Sequence, residues 1–231
     1  MKKLLWTLFV LLCFSNLSAQ HTIHVQYKYY SSEFDTVLKG EILTCYLQTV
    51  EHAKAAGIKR TTVAAFHYDS SLPARYQFSD FDKEYSAWNT DPKNKDNQYD
   101  RGHVVPYESQ AFNEEAAKAS MSRTNTMPQS KSFNEKVWRM VETIPLDSLA
   151  KKGVEVEVWT GVLVNDKSKK MGKMYIPDFY WKVISYGGTK KAWCGINDAT
   201  NKLTKPISIS ISLPDIKAKL LQYYPKLKLP F

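Results

Sequence analysis

Tyr99-Asp100-Arg101-Gly102-His103-Val104-Val105-Pro106 places a carboxylate, a guanidinium and an imidazole within four consecutive positions. In an extended backbone Arg101 and His103 are two residues apart and project to the same face. Gly102 between them lets a ligand or another stretch of backbone approach closely. Taken alone, the stretch suits a structural histidine beside a surface ion pair equally well. The surrounding sequence has to decide.

Downstream, Asn125-Thr126-Met127-Pro128-Gln129 leads into Phe133-Asn134, Trp138 and Glu142. Val137, Trp138, Val141 and Ile144 recur at helical spacing, which predicts an amphipathic helix over 134–144 that Pro145 ends. Asn134 at its start reads either as a helix cap, the common job of Asn there, or as a ligand. Glu142 sits eight residues further on, about 80° around the helix from Asn134, and on its own reads as a solvated helix residue as readily as a functional one. Trp138 reads as core, Asn125 as a structural hydrogen bonder, and Asp100 as a partner of the backbone or of Arg101.

The rest of the chain mixes elements without regular βαβ alternation, which gives the α+β class. Residues 21–35 read as a strand or a loosely held arm. Residues 42–50 read as a strand passing into a helical stretch at 51–56, stopped by Gly57. The segment 80–97, rich in Asp, Asn, Lys and Pro, predicts a long surface loop. Ala111, Ala116, Ala117 and Ala119 give 108–121 a helical composition. Alternation over 154–160 predicts a half-buried strand, and 180–186 and 207–213 predict further strands.

The ordered set Asp100-Arg101-Gly102-His103, then Asn125-x-x-Pro128-Gln129, then Asn134 followed by Trp138 and Glu142, resembles the DNA/RNA non-specific endonucleases, the family of secreted bacterial nucleases and mitochondrial endonuclease G. Thr160-Gly161, Ile176-Pro177 and Tyr180 to Ile184 look like further landmarks, so the resemblance covers roughly residues 60 to 220. It implies a mainly antiparallel sheet with packed helices and an embedded ββα-metal (His-Me finger) motif. It also implies Mg²⁺, with Mn²⁺ as the alternative cofactor, and hydrolysis of DNA and RNA through contacts to the phosphate backbone.

Carried over residue by residue, the resemblance makes His103 the general base, Asn134 the sole direct protein ligand of the metal, and Glu142 the holder of water around it. Arg101 would meet the scissile phosphate, and Asn125 would order the site. Hydrolysis of a phosphodiester needs water deprotonated, phosphoryl charge neutralised and the leaving oxygen stabilised, and this residue set can do all three. The family's upstream arginine matches Arg60 better than Arg75, since Phe66 and Asp69 follow it. Tyr107 and Glu108 depart from the family pattern, putting a bulky ring and a carboxylate near the expected phosphate path.

Bulk properties fit this reading. Lys2 and Lys3, an apolar run over 4–14 and a small residue at Ala19 make 1–20 an export signal, with 21–231 as a single domain. The apolar run is too short to span a bilayer, which needs about 20 residues. Losing Lys2 and Lys3 brings the formal charge from +9 to about +7, a surface that draws in polyanions. The expected location is therefore secreted or periplasmic, where the two remaining cysteines, Cys45 and Cys194, could pair as one disulfide. The competing function is a basic polyanion-binding protein on the same fold, catalytically weak or inactive.

Overall fold

The computed structural model describes residues 21–63, 65–199 and 203–231, and the export signal expected at 1–20 lies outside them. In chain order the strands are β1 (Thr22–Gln26), β2 (Tyr30–Asp35), β3 (Gly40–Gln48), β4 (Tyr99–His103), β5 (Thr126–Ser130), β6 (Val156–Leu163), β7 (Lys170–Met171), β8 (Met174–Tyr175), β9 (Phe179–Tyr186), β10 (Thr189–Ile196) and β11 (Ser210–Ile211). Seven of them form one sheet in the order β1-β2-β3-β6-β9-β10-β11, with every pairing antiparallel. β4 and β5 pair separately, as do β7 and β8. The class is α+β with a mainly antiparallel sheet, as the sequence implied.

Both faces of the large sheet are covered. On one, Phe133 and Trp138 pack on Tyr180 of β9, with ring centroids 6.1 and 5.8 Å apart. On the other, Phe231 lies against Trp159 and Trp181, and the helix Leu213–Tyr223 buries Ile216 and Leu220. This explains why β6 is buried almost throughout, where alternation had predicted a half-buried strand. A strand covered on both faces keeps no reason to alternate.

Several expectations are corrected. The segment 80–97 is not a loop: Phe81–Thr90 is an α-helix followed by a 3₁₀ turn at Pro92–Asn94. Its apolar residues Phe81, Tyr85 and Trp88 fall at i, i+4 and i+7 and pack with Tyr99, Met171, Met174 and Ile176, a stripe hidden among polar neighbours. The region 108–121 is two helices, Tyr107–Gln110 and Glu114–Ser120, the second capped by Asn113 Oδ1 accepting from Ala116 N at 2.8 Å. The region 207–213 holds only the two-residue strand β11, preceded by a 3₁₀ turn over Pro206–Ile209 and followed by Ser212, which caps the final helix.

Pro145 does not end the helix after Asn134. Helical turns run from Lys131 to Lys152, two of them widened to π geometry at Asn134–Trp138 and Ile144–Leu149. Pro145 lies inside the run, where the helix passes from α into π geometry, the local irregularity that goes with a missing ladder N–H. Gly153, at φ 94°, closes the run.

Cys45 and Cys194 do not form a disulfide. Cys45 is on β3 and Cys194 on β10, with β6 and β9 between them, so three strand spacings, roughly 14 Å, separate them. A disulfide needs Cα atoms within about 7 Å.

Candidate active site

The local architecture is two antiparallel strands and a helix. β4 pairs with β5 from Tyr99↔Ser130 to His103↔Thr126, and the helical run starts at Lys131, directly after β5. Tyr180 Oη donates to Met127 O at 3.0 Å, and Asn197 bonds both Pro128 O and Ser130 N, so the strand pair is docked on the large sheet. Asn197 was not singled out from sequence, because nothing around it signals a long-range contact.

Asn125 is fully buried and clamps the chain just beyond His103. Its Oδ1 accepts from Val105 N at 2.8 Å, and its Nδ2 donates to Val105 O and Ser120 O. Every contact is to backbone, so Asn125 positions the strand and does not reach a substrate. Gly102 is needed for a different reason from the one anticipated. A Cβ there would run into the side chain of buried Gln129 across the strand pair, so a side chain, not a ligand, makes the close approach.

His103 and Arg101 share a face of β4, as their spacing predicts. Phe66 marks that face, with its ring centroid 5.3 Å from the His103 ring and 5.9 Å from the Arg101 guanidinium carbon. The His103 ring is half-buried; its Nε2 is enclosed and accepts or donates no hydrogen bond. Packing against Phe66, not a hydrogen-bonded carbonyl, sets the ring. Burial, reinforced by the positive charge of Arg60, lowers the His103 pKa to about 3. The imidazole is therefore neutral through the physiological range.

Arg60 completes this face: its guanidinium carbon lies 5.4 Å from the Phe66 ring and 5.8 Å from that of Tyr107. Tyr107 does not obstruct the site. It is buried, and its hydroxyl donates to Ile58 O at 3.0 Å. Glu108 is exposed. Arg123, two residues before Asn125 and absent from the sequence reading, joins Arg101 through a shared carboxylate, Asp82.

Asn134 lies inside the helical run, and its side chain caps nothing. Nδ2 donates to Asp100 Oδ2 at 2.9 Å, so the side chain that Asp100 holds is that of Asn134, a partner the sequence reading, which offered the backbone or Arg101, did not name. The bond commits the amide nitrogen and leaves Oδ1 on the far side as a hard oxygen donor. Among the described residues no cluster of three or more His, Cys, Asp or Glu could hold a metal. An amide oxygen such as Asn134 Oδ1 is a hard donor, of the kind that suits a cation keeping several of its own waters.

Glu142 faces inward to Lys182, a fully buried lysine whose Nζ donates no hydrogen bond, and to Trp138. Burial pushes the Glu142 carboxyl up and the Lys182 ammonium down, each opposed by the charge of the other. No direct contact joins Glu142 or Asn134 to His103. Asp100, which holds Asn134, precedes His103 by three residues of β4, about 10 Å of strand.

The family model described as DNA/RNA non-specific endonuclease matches residues 14–213. A solved structure titled "Crystal structure of the EndoG/EndoGI complex: Mechanism of EndoG inhibition" has the same fold. It matches with a TM-score of 0.70 at 16% identity, covering 93% of this chain and 87% of that one. The chain is also 24% identical over 168 residues to the "Uncharacterized protein y4fB" of Sinorhizobium fredii (strain NBRC 101917 / NGR234), spanning 70% of this chain but 24% of that longer protein. With the family model covering most of its length and the family's residues gathered on one strand pair and helix, the chain belongs to the DNA/RNA non-specific endonuclease family.

Proposed function

We propose that this protein is an exported, metal-dependent endonuclease that hydrolyses DNA and RNA phosphodiester bonds with little regard for sequence. The observation that carries the reading is that β4 sets His103 beside Arg101 against Phe66 and, three residues earlier, presents Asp100 to the side-chain amide of Asn134. His103 is the general base, accepting a proton from water at the ring nitrogen that is not enclosed, Nδ1. Arg101 and Arg60, on the same face, bind phosphoryl oxygens and stabilise the charge that grows on them.

Asn134 Oδ1 would hold Mg²⁺ (or Mn²⁺), which when bound supplies further charge neutralisation at the phosphate. Glu142, whose carboxyl burial pushes up and the charge of Lys182 pulls back down, orients water in that part of the site. Asn125 fixes the backbone beyond His103. Contacts of this kind go to the backbone of the nucleic acid and carry no base readout. Residues 1–20 are read as the export signal and 21–231 as the mature domain, which places the activity outside the cytoplasm.

The test is incubation of the mature chain with plasmid DNA and with structured RNA, in Mg²⁺ and in EDTA. Cleavage of both polymers that EDTA abolishes supports the reading. Binding without any cleavage would favour the polyanion-binding alternative.

A further inference from the structure

We propose that Arg123 is a second phosphate-binding residue, taking the phosphate next to the scissile one, and that Asp82 holds Arg123 and Arg101 in register until a substrate displaces its carboxylate. The inference rests on the nuclease reading above and adds a subsite to it.

Asp82 Oδ1 accepts from Arg101 Nη2 at 2.9 Å, and Oδ2 accepts from Arg123 Nη2 at 3.2 Å. One carboxylate thus bridges two guanidiniums and leaves them with an excess positive charge. Asp82 takes only Nη2 of each guanidinium, so Nη1 of both Arg101 and Arg123 is left to donate to a phosphate. Aromatic rings set the planes of both. Arg101 lies 5.9 Å from Phe81 and 5.0 Å from Tyr85, and Arg123 lies 5.5 Å from Phe81 and 4.6 Å from Tyr68.

Shared rings order the groups along one face. Phe66 joins Arg60 and His103 to Arg101, and Phe81 joins Arg101 to Arg123. A strip of guanidiniums leading away from the base matches the regular run of charges along a nucleic-acid strand. Planar forks on fixed aromatic supports are suited to bidentate contact with phosphate. Asp82 is the most accessible of the three, its side chain 56% exposed against 35% for Arg101 and 16% for Arg123. An exposed ion pair contributes little, so a phosphate can replace the carboxylate at small cost.

The experiment is fluorescence anisotropy with a labelled ten-residue oligo-dT, in EDTA so that nothing is cleaved, over a range of salt. Arg123→Ala should raise Kd roughly tenfold, the usual worth of a hydrogen bond to a charged group. It should also flatten the slope of log Kd against log salt by about 0.7, the loss of one single-strand phosphate contact. Arg123→Lys keeps the charge and should keep the slope while losing part of the affinity. Asp82→Asn should tighten binding. Wild-type Kd and slope in Arg123→Ala, or weaker binding in Asp82→Asn, would overturn the proposal. Cleavage is assayed separately: a wild-type chain that binds in this pattern but never cuts contradicts the nuclease reading and not the subsite.

Discussion

Asn134 Nδ2 donates to Asp100 Oδ2 at 2.9 Å, and the same strand that carries Asp100 ends on His103. A group that orients a metal ligand typically changes metal affinity or activity 10- to 100-fold when it is removed. Asp100→Ala should therefore raise the Mg²⁺ concentration for half-maximal cleavage by about that factor. Asn134→Ala should remove most Mg²⁺-dependent cleavage while costing only about 1 kcal/mol of stability, since one hydrogen bond is lost. Titration of activity with Mg²⁺ checks both, and wild-type metal dependence in either variant would refute the assignment.

The pH behaviour divides between two groups. With its pKa lowered to about 3, His103 stays neutral far below the usual histidine range near 6.5, so it does not limit the rate in mildly acidic solution. An acidic limb there belongs to Glu142, whose carboxyl burial pushes up and Lys182 holds down. Lys182→Met removes that restraint, and the limb of the pH–rate profile should move to higher pH. A limb that does not move would contradict the pairing.

The same shift has a consequence for stability. A histidine depressed in the folded state binds its proton in the unfolded chain first. Its contribution is fully present above about pH 6.5 and is lost as the pH falls from there toward 3. Urea unfolding at pH 7 and pH 4.5 should show a smaller drop in His103→Asn than in wild type.

Gly102→Ala places a methyl group against the Cβ of buried Gln129, an atom that moves only if the strand does. Overpacking of this kind costs about 1–3 kcal/mol. Thermal unfolding should register the loss even before activity is measured, and an unchanged Tm would mean the strand pair relaxes freely.

The family was more legible than the frame that holds its residues. Asp100 to His103, Asn125 and Asn134 point to it by residue type and order. What placed them was less visible. The helix Phe81–Thr90 hides three apolar residues among charges, and it carries Asp82, the carboxylate between Arg101 and Arg123. Lys182 looked like a polar position on a strand, yet the helical run Lys131 to Lys152 covers it and turns it toward Glu142. The cysteines failed as a pair because sequence gives no account of strand order, and β6 and β9 stand between them.

Because the two thiols are held apart by the sheet, reducing agent should leave the Tm of the protein unchanged. A downward shift on adding a thiol reductant would show a bridge that the strand order forbids.

The account turns on His103 as the base. Single-turnover cleavage of a labelled duplex by wild type and His103→Ala, at saturating Mg²⁺ and neutral pH, tests it most directly, with Kd measured alongside in EDTA. The prediction is a rate lower by about 10²–10⁴, the usual worth of general-base help, with Kd changed little because arginines hold the phosphate. A variant that cuts at the wild-type rate, or one whose entire defect lies in Kd, would contradict it.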